Sequence, residues 1–398
     1  MIVKQKTAWK EAAWIFGLSR LMILLLSYLA VTFLPISSLY SYMYTGPKQC
    51  TDTIADNLTC FLVSWWRWDA THYVQIAYDG YSQASLTAFF PLFPLLIHSM
   101  GYLLGGSATA DYAAGLIVAN SCFYAVLVLF YHLVSKDFGQ RVAKYALIYL
   151  AFAPHAIFFF VGYDESLFLL LTLAIFLLLR RGKLLDWWLA GLCGFLVTLT
   201  RPTGIIVIVP FLVFFVQRFG MRTLLARENW PQKLNAIFSM TLIPSALLIY
   251  MLYLWITFGN PWLFSIEETL VWQRSLSFPW MGFFIAMRGI MIMGPLAGSG
   301  VTDIFFTVVP LVALILGWKQ LPVHYCLFAL ALMLFVLSVP CHYQGLMSVP
   351  RFMLEVFPTF ILFALWGKDR FFFWLLLVFS VIFFIANIVV FAIYGWVS

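Results

Sequence analysis

Of 398 residues, 64% are hydrophobic, 19% aromatic and only 10% charged, whereas soluble domains carry roughly 45–50% apolar and about 25% charged residues. Such a chain lives in a bilayer, which excludes a cytosolic enzyme, a nucleic-acid-binding protein and a disordered chain. The formal charge of +7 is therefore read as a signal of membrane orientation, not as a sign of an acidic partner.

In chain order, apolar runs predict spans near 12–34, 111–134, 145–163, 165–180, 184–200, 204–218, 236–258, 301–317, 323–340, 352–366 and 371–395. The expected architecture is an all-α polytopic membrane protein with about eleven transmembrane helices, within a range of about 10–12. The N-terminus is placed inside and the C-terminus outside. On this map 17 Lys and Arg residues, Arg20 among them, lie inside, and only Lys48, Arg67, Arg201, Arg274, Arg288 and Arg351 lie outside. The run Phe89 to Leu104 is read as an interfacial helix broken by Pro91 and Pro94, because counting it as a span would export the later basic clusters. No small-residue cleavage site follows the first span, which is therefore expected to be an anchor.

The chain is expected to form one integral membrane domain over 1–398. Residues 35–110 would form a large extracytoplasmic loop, and 259–300, rich in Trp, Phe, Gly and Pro, an outer interfacial or re-entrant segment. None of the six cysteines shows metal-site spacing. Cys50 and Cys60 share one outer loop, where they would be either a disulfide or two reduced thiols. Asn57-Leu-Thr59 is a glycosylation sequon, relevant only in a eukaryotic host.

Polar chemistry gathers on the outer side. A helix over 64–78 would set Asp69 and His72 one turn apart, with Tyr73 beside them and Trp65, Trp66 and Trp68 at headgroup level. An inert, wet-side pair is the alternative. Val161-Gly-Tyr-Asp-Glu-Ser-Leu167 puts Asp164 and Glu165 at an outer junction, where one carboxylate would suffice as a helix cap. Arg201, in Thr200-Arg-Pro-Thr-Gly204, either grips an anion or snorkels to lipid phosphate. Arg351 and Glu355 are spaced as an ordinary helix pair or as part of a site, and His342 reads as a satisfied loop histidine.

Trp68-Asp-x-x-His-Tyr73, Ile76-Ala-x-x-Gly-Tyr81, Ala88-Phe-Phe-Pro-Leu-Phe-Pro94, Gly162-Tyr-Asp-Glu-Ser-Leu-Phe168, Thr200-Arg-Pro-Thr-Gly204 and Pro350-Arg-Phe352 occur in that order. Together they resemble the PIG-V family, the GPI mannosyltransferase II-like membrane glycosyltransferases of the GT-C class, and the short connections resemble its prokaryotic members. Tyr73 stands where the family commonly has Phe, and Asp164 where Ser or Thr is usual. The resemblance implies a polyprenyl-phosphate sugar as donor, a glycolipid or glycan as acceptor and an active site facing outward from the cell membrane, or into the lumen of the endoplasmic reticulum in a eukaryote.

Asp69 would then be the catalytic base. Arg201 and Arg351 would hold the leaving phosphate, while His72, Asp164 and Glu165 orient sugar hydroxyls or support the base. Arg67, Tyr73 and His342 complete the expected substrate-binding set. Whether a divalent cation assists is open at this point, because Asp69, Asp164 and Glu165 could bind one only if they converge. A lipid or sugar flippase is the rival reading, although such proteins place ionisable groups near the bilayer midplane and often within repeats; a noncatalytic membrane scaffold is a third.

Overall fold

The computed structural model describes residues 2–35, 61–221, 228–294 and 299–397, with side chains from residue 6 onward. Cys50, Cys60 and Asn57 lie outside the described residues. The helices are α1 (Ile2–Phe33), α2 (Asp69–Asp79), α3 (Leu92–Leu103), α4 (Ala108–Phe138), α5 (Gln140–Ala151), α6 (Glu165–Arg181), α7 (Leu184–Thr198), α8 (Ile208–Phe219), α9 (Trp230–Phe258), α10 (Leu263–Val271), α11 (Met281–Met293), α12 (Gly300–Gly317), α13 (Val323–Leu337), α14 (Val349–Phe352), α15 (Phe357–Trp366) and α16 (Arg370–Ala392). Among the described residues, extended pairing is confined to the bridges Arg274–Cys341 and Cys341–Gly345.

The protein is an all-α, multi-pass membrane protein. Among the described residues six helices are long and apolar enough to cross a membrane, or seven if the pair Val349–Glu355 and Phe357–Trp366, bent by 76°, forms one broken span. That test does not reach eleven, because the expected spans near 145–163, 165–180, 184–200 and 323–340 hold helices of 12, 17, 15 and 15 residues, each short of the 18 it requires. A 15-residue helix is only about 22 Å long against a core of about 30 Å. The segment 89–104 forms α3, which starts directly after Pro91. Its Pro94 sits in the first turn, where backbone N–H groups lack an intrahelical partner in any case. The prolines therefore begin this helix and do not break it.

The chain packs as two compact units. The first comprises Met1–Gly80, Pro94–Ser166 and Phe363–Ser398. Within it the expected span 145–163 is interrupted: α5 ends at Ala151, and Ala156–Phe159 is a short 3-10 turn. Carbonyls released by that break need donors in an apolar interior. Ser380 donates to Phe152 O at 2.7 Å and Asn387 to Pro154 O at 2.8 Å. Arg20 donates to Phe159 O at 2.8 Å and Asn120 to Phe160 O at 2.9 Å. Arg20 also donates to Asn120 Oδ1 at 2.8 Å and lies 4.3 Å from the centre of the Phe123 ring. Arg20 is thus a buried structural cation, and its place among the orientation-setting inner charges is corrected.

The second unit comprises Tyr81–Phe93 and Leu167–Leu362. Here α7 meets α9 through Gly191 and Gly194, where a Cβ would meet the Ser239 carbonyl and the Ile243 side chain. Small residues of this kind let membrane helices approach closely. The stretch 81–93 is tied down by Tyr250, which donates to Thr87 O at 2.7 Å, and by Leu92 N, which donates to Leu199 O at 2.9 Å. Gly191→Ala should lower stability by about 1–3 kcal/mol through overpacking against backbone. Thermal unfolding of detergent-purified protein reads this, and an unchanged midpoint would refute the close α7–α9 contact.

Candidate active site

Asp69 is the first residue of α2, not the middle of a longer helix. The helix expected over 64–78 is cut because Trp68 adopts φ 52° and ψ −131°, a left-handed conformation incompatible with helix continuation. Carboxylates are favoured in the first turn of a helix, which suits Asp69 to this place. Asp69 and His72 are half-buried and Tyr73 is buried, so the first two are the more accessible members of the motif. Burial lowers the pKa of His72, and the Asp69 charge opposes that shift more weakly. The imidazole is therefore neutral at neutral pH. The tryptophans expected at headgroup level pack inward: Trp65 against Phe160 with ring centres 5.0 Å apart, Trp66 stacked on Tyr112 at 4.9 Å.

The second motif meets the first within the same unit. Tyr163 donates through its hydroxyl to the carbonyl of Arg67 at 3.4 Å, joining the Gly-Tyr-Asp-Glu turn to the residue two before Asp69. Asp164, Glu165 and Ser166 are fully buried, and Glu165 opens α6. Burying two successive carboxylates exceeds what a helix cap requires, since a buried charge is costly unless compensated. The Arg67 side chain, expected to contact substrate, is 4% exposed and lies 3.9 Å from the centre of the Tyr394 ring and 4.4 Å from that of Phe391. Burial pushes its pKa down to about 10, so it stays charged at neutral pH. Arg67 belongs to the scaffold of the motif.

In the second unit, Arg201 begins the short helix Pro202–Val207, and Gly204 allows that turn to lie on the backbone of Val197 and Thr198. Arg201 Nη1 donates to Glu355 Oε1 at 2.6 Å in a buried ion pair. The Arg201–Glu355 ion pair joins residues 154 positions apart, and between Arg351 and Glu355 the chain changes from the short helix Val349–Phe352 to a 3-10 turn at Met353–Glu355. Three guanidinium groups share the Phe352 ring: Arg351 at 5.0 Å, Arg201 at 5.1 Å and Arg274 at 5.6 Å from its centre. Arg274 also donates to Met347 O at 2.9 Å. No motif marked Arg274 in the sequence, where it stood only as one outer cation in an apolar stretch. His342 is exposed and pairs with Ser275 Oγ at 2.6 Å, a link between loops.

Backbone strain follows these residues. Among the described residues, non-glycine positive φ occurs at Trp68, Asn229, Gln273, Ser348 and Tyr394. Trp68 precedes Asp69, Gln273 precedes Arg274, Ser348 precedes the helix of Arg351, and Tyr394 stacks on Arg67. Each such conformation costs about 1–3 kcal/mol and persists where packing enforces it, commonly at functional sites. Among the described residues, no group of three or more His, Cys, Asp or Glu side chains is arranged to hold a metal ion, so Asp69, Asp164 and Glu165 do not form the convergent set a divalent cation would need.

A family model described as Mannosyltransferase (PIG-V) matches residues 10–290, well over half of the chain. The chain belongs to this family. Over 153 residues it is 33% identical to GPI alpha-1,6-mannosyltransferase 2 of Cricetulus griseus, covering 35% of this chain and 29% of that protein. Over 146 residues it is 30% identical to GPI mannosyltransferase 2 of Schizosaccharomyces pombe, covering 36% and 30%. The matched stretches thus span less than a third of these relatives. Among solved structures, ArnT from Cupriavidus metallidurans bound to undecaprenyl phosphate is similar at 14% identity and a TM-score of 0.48, covering 77% of this chain and 60% of that one. An Archaeoglobus fulgidus oligosaccharyltransferase in complex with Zn and sulfate gives 13% identity and a TM-score of 0.47, covering 92% and 52%.

The PIG-V match includes Asp69, His72, Asp164, Glu165, Arg201 and Arg274 and ends before Arg351 and Glu355. The Arg201–Glu355 pair therefore joins a residue inside the matched region to one beyond it. Glu355→Ala should destabilise the protein by about 3–5 kcal/mol, because it leaves Arg201 buried without its carboxylate. Chemical or thermal unfolding checks this, and a loss below about 1 kcal/mol would mean the pair is not buried as described.

Proposed function

We propose that the protein is a membrane glycosyltransferase that moves a hexose, mannose in the first instance, from a polyprenyl-phosphate sugar to a glycolipid or glycan hydroxyl at the outer membrane face. The observation that carries this reading is the half-buried Asp69 on a strained helix start, joined through Tyr163 and Arg67 to the buried Asp164–Glu165 turn, in a chain of the PIG-V family.

The chemistry these residues permit is a single displacement. The acceptor oxygen bonds to the anomeric carbon while the bond from that carbon to the donor phosphate oxygen breaks, and the electron pair departs with the polyprenyl phosphate. Asp69 takes the acceptor proton. Inversion follows, so a β-linked donor gives an α-linked product. The leaving phosphate needs no strong general acid, but it gains negative charge as the bond breaks. Guanidinium groups suit that task because their planar fork grips two phosphate oxygens. Arg201 and Arg351 are assigned to it, and Arg274 joins them because it shares the Phe352 ring. Neutral His72 supplies a hydrogen bond to a sugar hydroxyl or to Asp69, while Asp164 and Glu165, fully buried, support the base through the Tyr163 turn.

Asp69→Asn preserves shape and hydrogen bonding but cannot take the proton. Transfer should fall by about 10²–10⁴-fold or more while donor binding survives. Native-rate transfer by a folded, donor-binding Asp69→Asn protein would remove Asp69 from the mechanism.

A further inference from the structure

The turn before Asp69 is gripped by a distant part of the chain that no sequence motif touched. Trp68 holds the left-handed conformation that starts α2 at Asp69, and it can persist only where neighbours enforce it. Its indole meets Trp396 edge-on, with ring centres 4.8 Å apart and planes at 90°. One residue earlier, the buried Arg67 guanidinium lies over Tyr394 at 3.9 Å and Phe391 at 4.4 Å. Tyr394 also reaches Val63 O through its hydroxyl at 3.5 Å. The gripping segment has a fixed shape of its own. Tyr394 is itself left-handed at φ 66°, and Gly395 N donates to Val390 O at 2.8 Å, folding the chain back where α16 ends. Tyr394 and Val397 are buried.

We propose that Phe391–Val397 is a positioning clamp that aims Asp69, acting through Arg67 and Trp68. This rests on Asp69 being the base. Its residues lie beyond the PIG-V match, which ends at residue 290. Simple apolar packing would bury this segment equally well against any hydrophobic surface. What distinguishes it is the choice of contacts. A buried cation is expensive to enclose, and the two aromatic faces over Arg67 compensate part of that cost by attracting the charge. Phe391 also meets Phe158 edge-on at 6.0 Å, but Tyr394 and Trp396 set their rings on Arg67 and Trp68, the two residues before the start of α2, while Tyr163 holds the Arg67 carbonyl. The carboxylate that follows is therefore fixed by neighbours on both sides of its turn.

Three variants test the clamp in full-length protein. Trp396→Ala removes the edge contact, and Tyr394→Leu keeps apolar volume but removes the face over Arg67. Each should lower kcat by about 10–100-fold with KM for the donor unchanged, since misplacing a reacting group by about 1 Å costs about that much, and Tyr394→Leu should also lower the thermal midpoint because the buried Arg67 loses one of its two aromatic faces. Trp396→Phe should recover most of the rate. In an Asp69→Asn background, Trp396→Ala should cause no further loss, because the clamp has no other route to the chemistry. Native kcat in both disruptive variants, or an equal further loss in the Asp69→Asn background, would overturn the proposal. Hydrogen exchange of residues 64–72 gives a readout that needs no turnover. Exchange should rise in Trp396→Ala and Tyr394→Leu, and unchanged exchange would refute the clamp even if the native protein transfers no sugar. Absence of transfer by native protein with the expected exchange would instead count against the glycosyltransferase reading.

Discussion

A carbonyl released by broken helical structure in an apolar interior must find a donor inside the protein, and the placement of the carboxylate turn depends on that requirement. Between Ala151 and Glu165 the chain leaves helical geometry, and Arg20, Asn120, Ser380 and Asn387 donate to the exposed carbonyls. Because those donors come from α1, α4 and α16, the break is held from three directions. Asp164 and Glu165 sit buried at its end, next to Tyr163, whose hydroxyl bonds the Arg67 carbonyl. A buried arginine in α1 thus has a structural reason to exist far from any motif.

Each unit holds its own set of candidate residues: the carboxylates Asp69, Asp164 and Glu165 belong to the first, and the guanidinium groups of Arg201, Arg274 and Arg351 to the second. Each set is placed by irregular backbone. Trp68 and Gln273 have positive φ immediately before Asp69 and Arg274, and Ser348 has it at the start of the helix that carries Arg351, so local strain and candidate residues coincide in both units.

Composition alone established a multi-pass membrane protein, and short spacings marked Asp69, Asp164 and Glu165 as candidates because their polar neighbours lie close in sequence. What escaped depended on distance in the chain or on backbone shape. Nothing in a tryptophan announces positive φ, so the start of α2 was expected at residue 64. The spacing of Glu355 pointed only to Arg351, whereas the structure also pairs it with Arg201, 154 positions away. Arg20 counted as an inner charge because hydropathy cannot distinguish a loop arginine from one bonded within the bundle. Arg274, Tyr394 and Trp396 carry no spacing signal, and only packing reveals them.

The central claim is that this chain transfers a sugar from a lipid phosphate with one inversion. Purified protein, a β-linked polyprenyl-phosphate mannose labelled in the sugar and a panel of glycolipid acceptors would test it most directly, with product stereochemistry determined. The account predicts acceptor-dependent release of polyprenyl phosphate and an α-linked mannoside. A β-linked product, or movement of the labelled lipid across a membrane without cleavage, would contradict it.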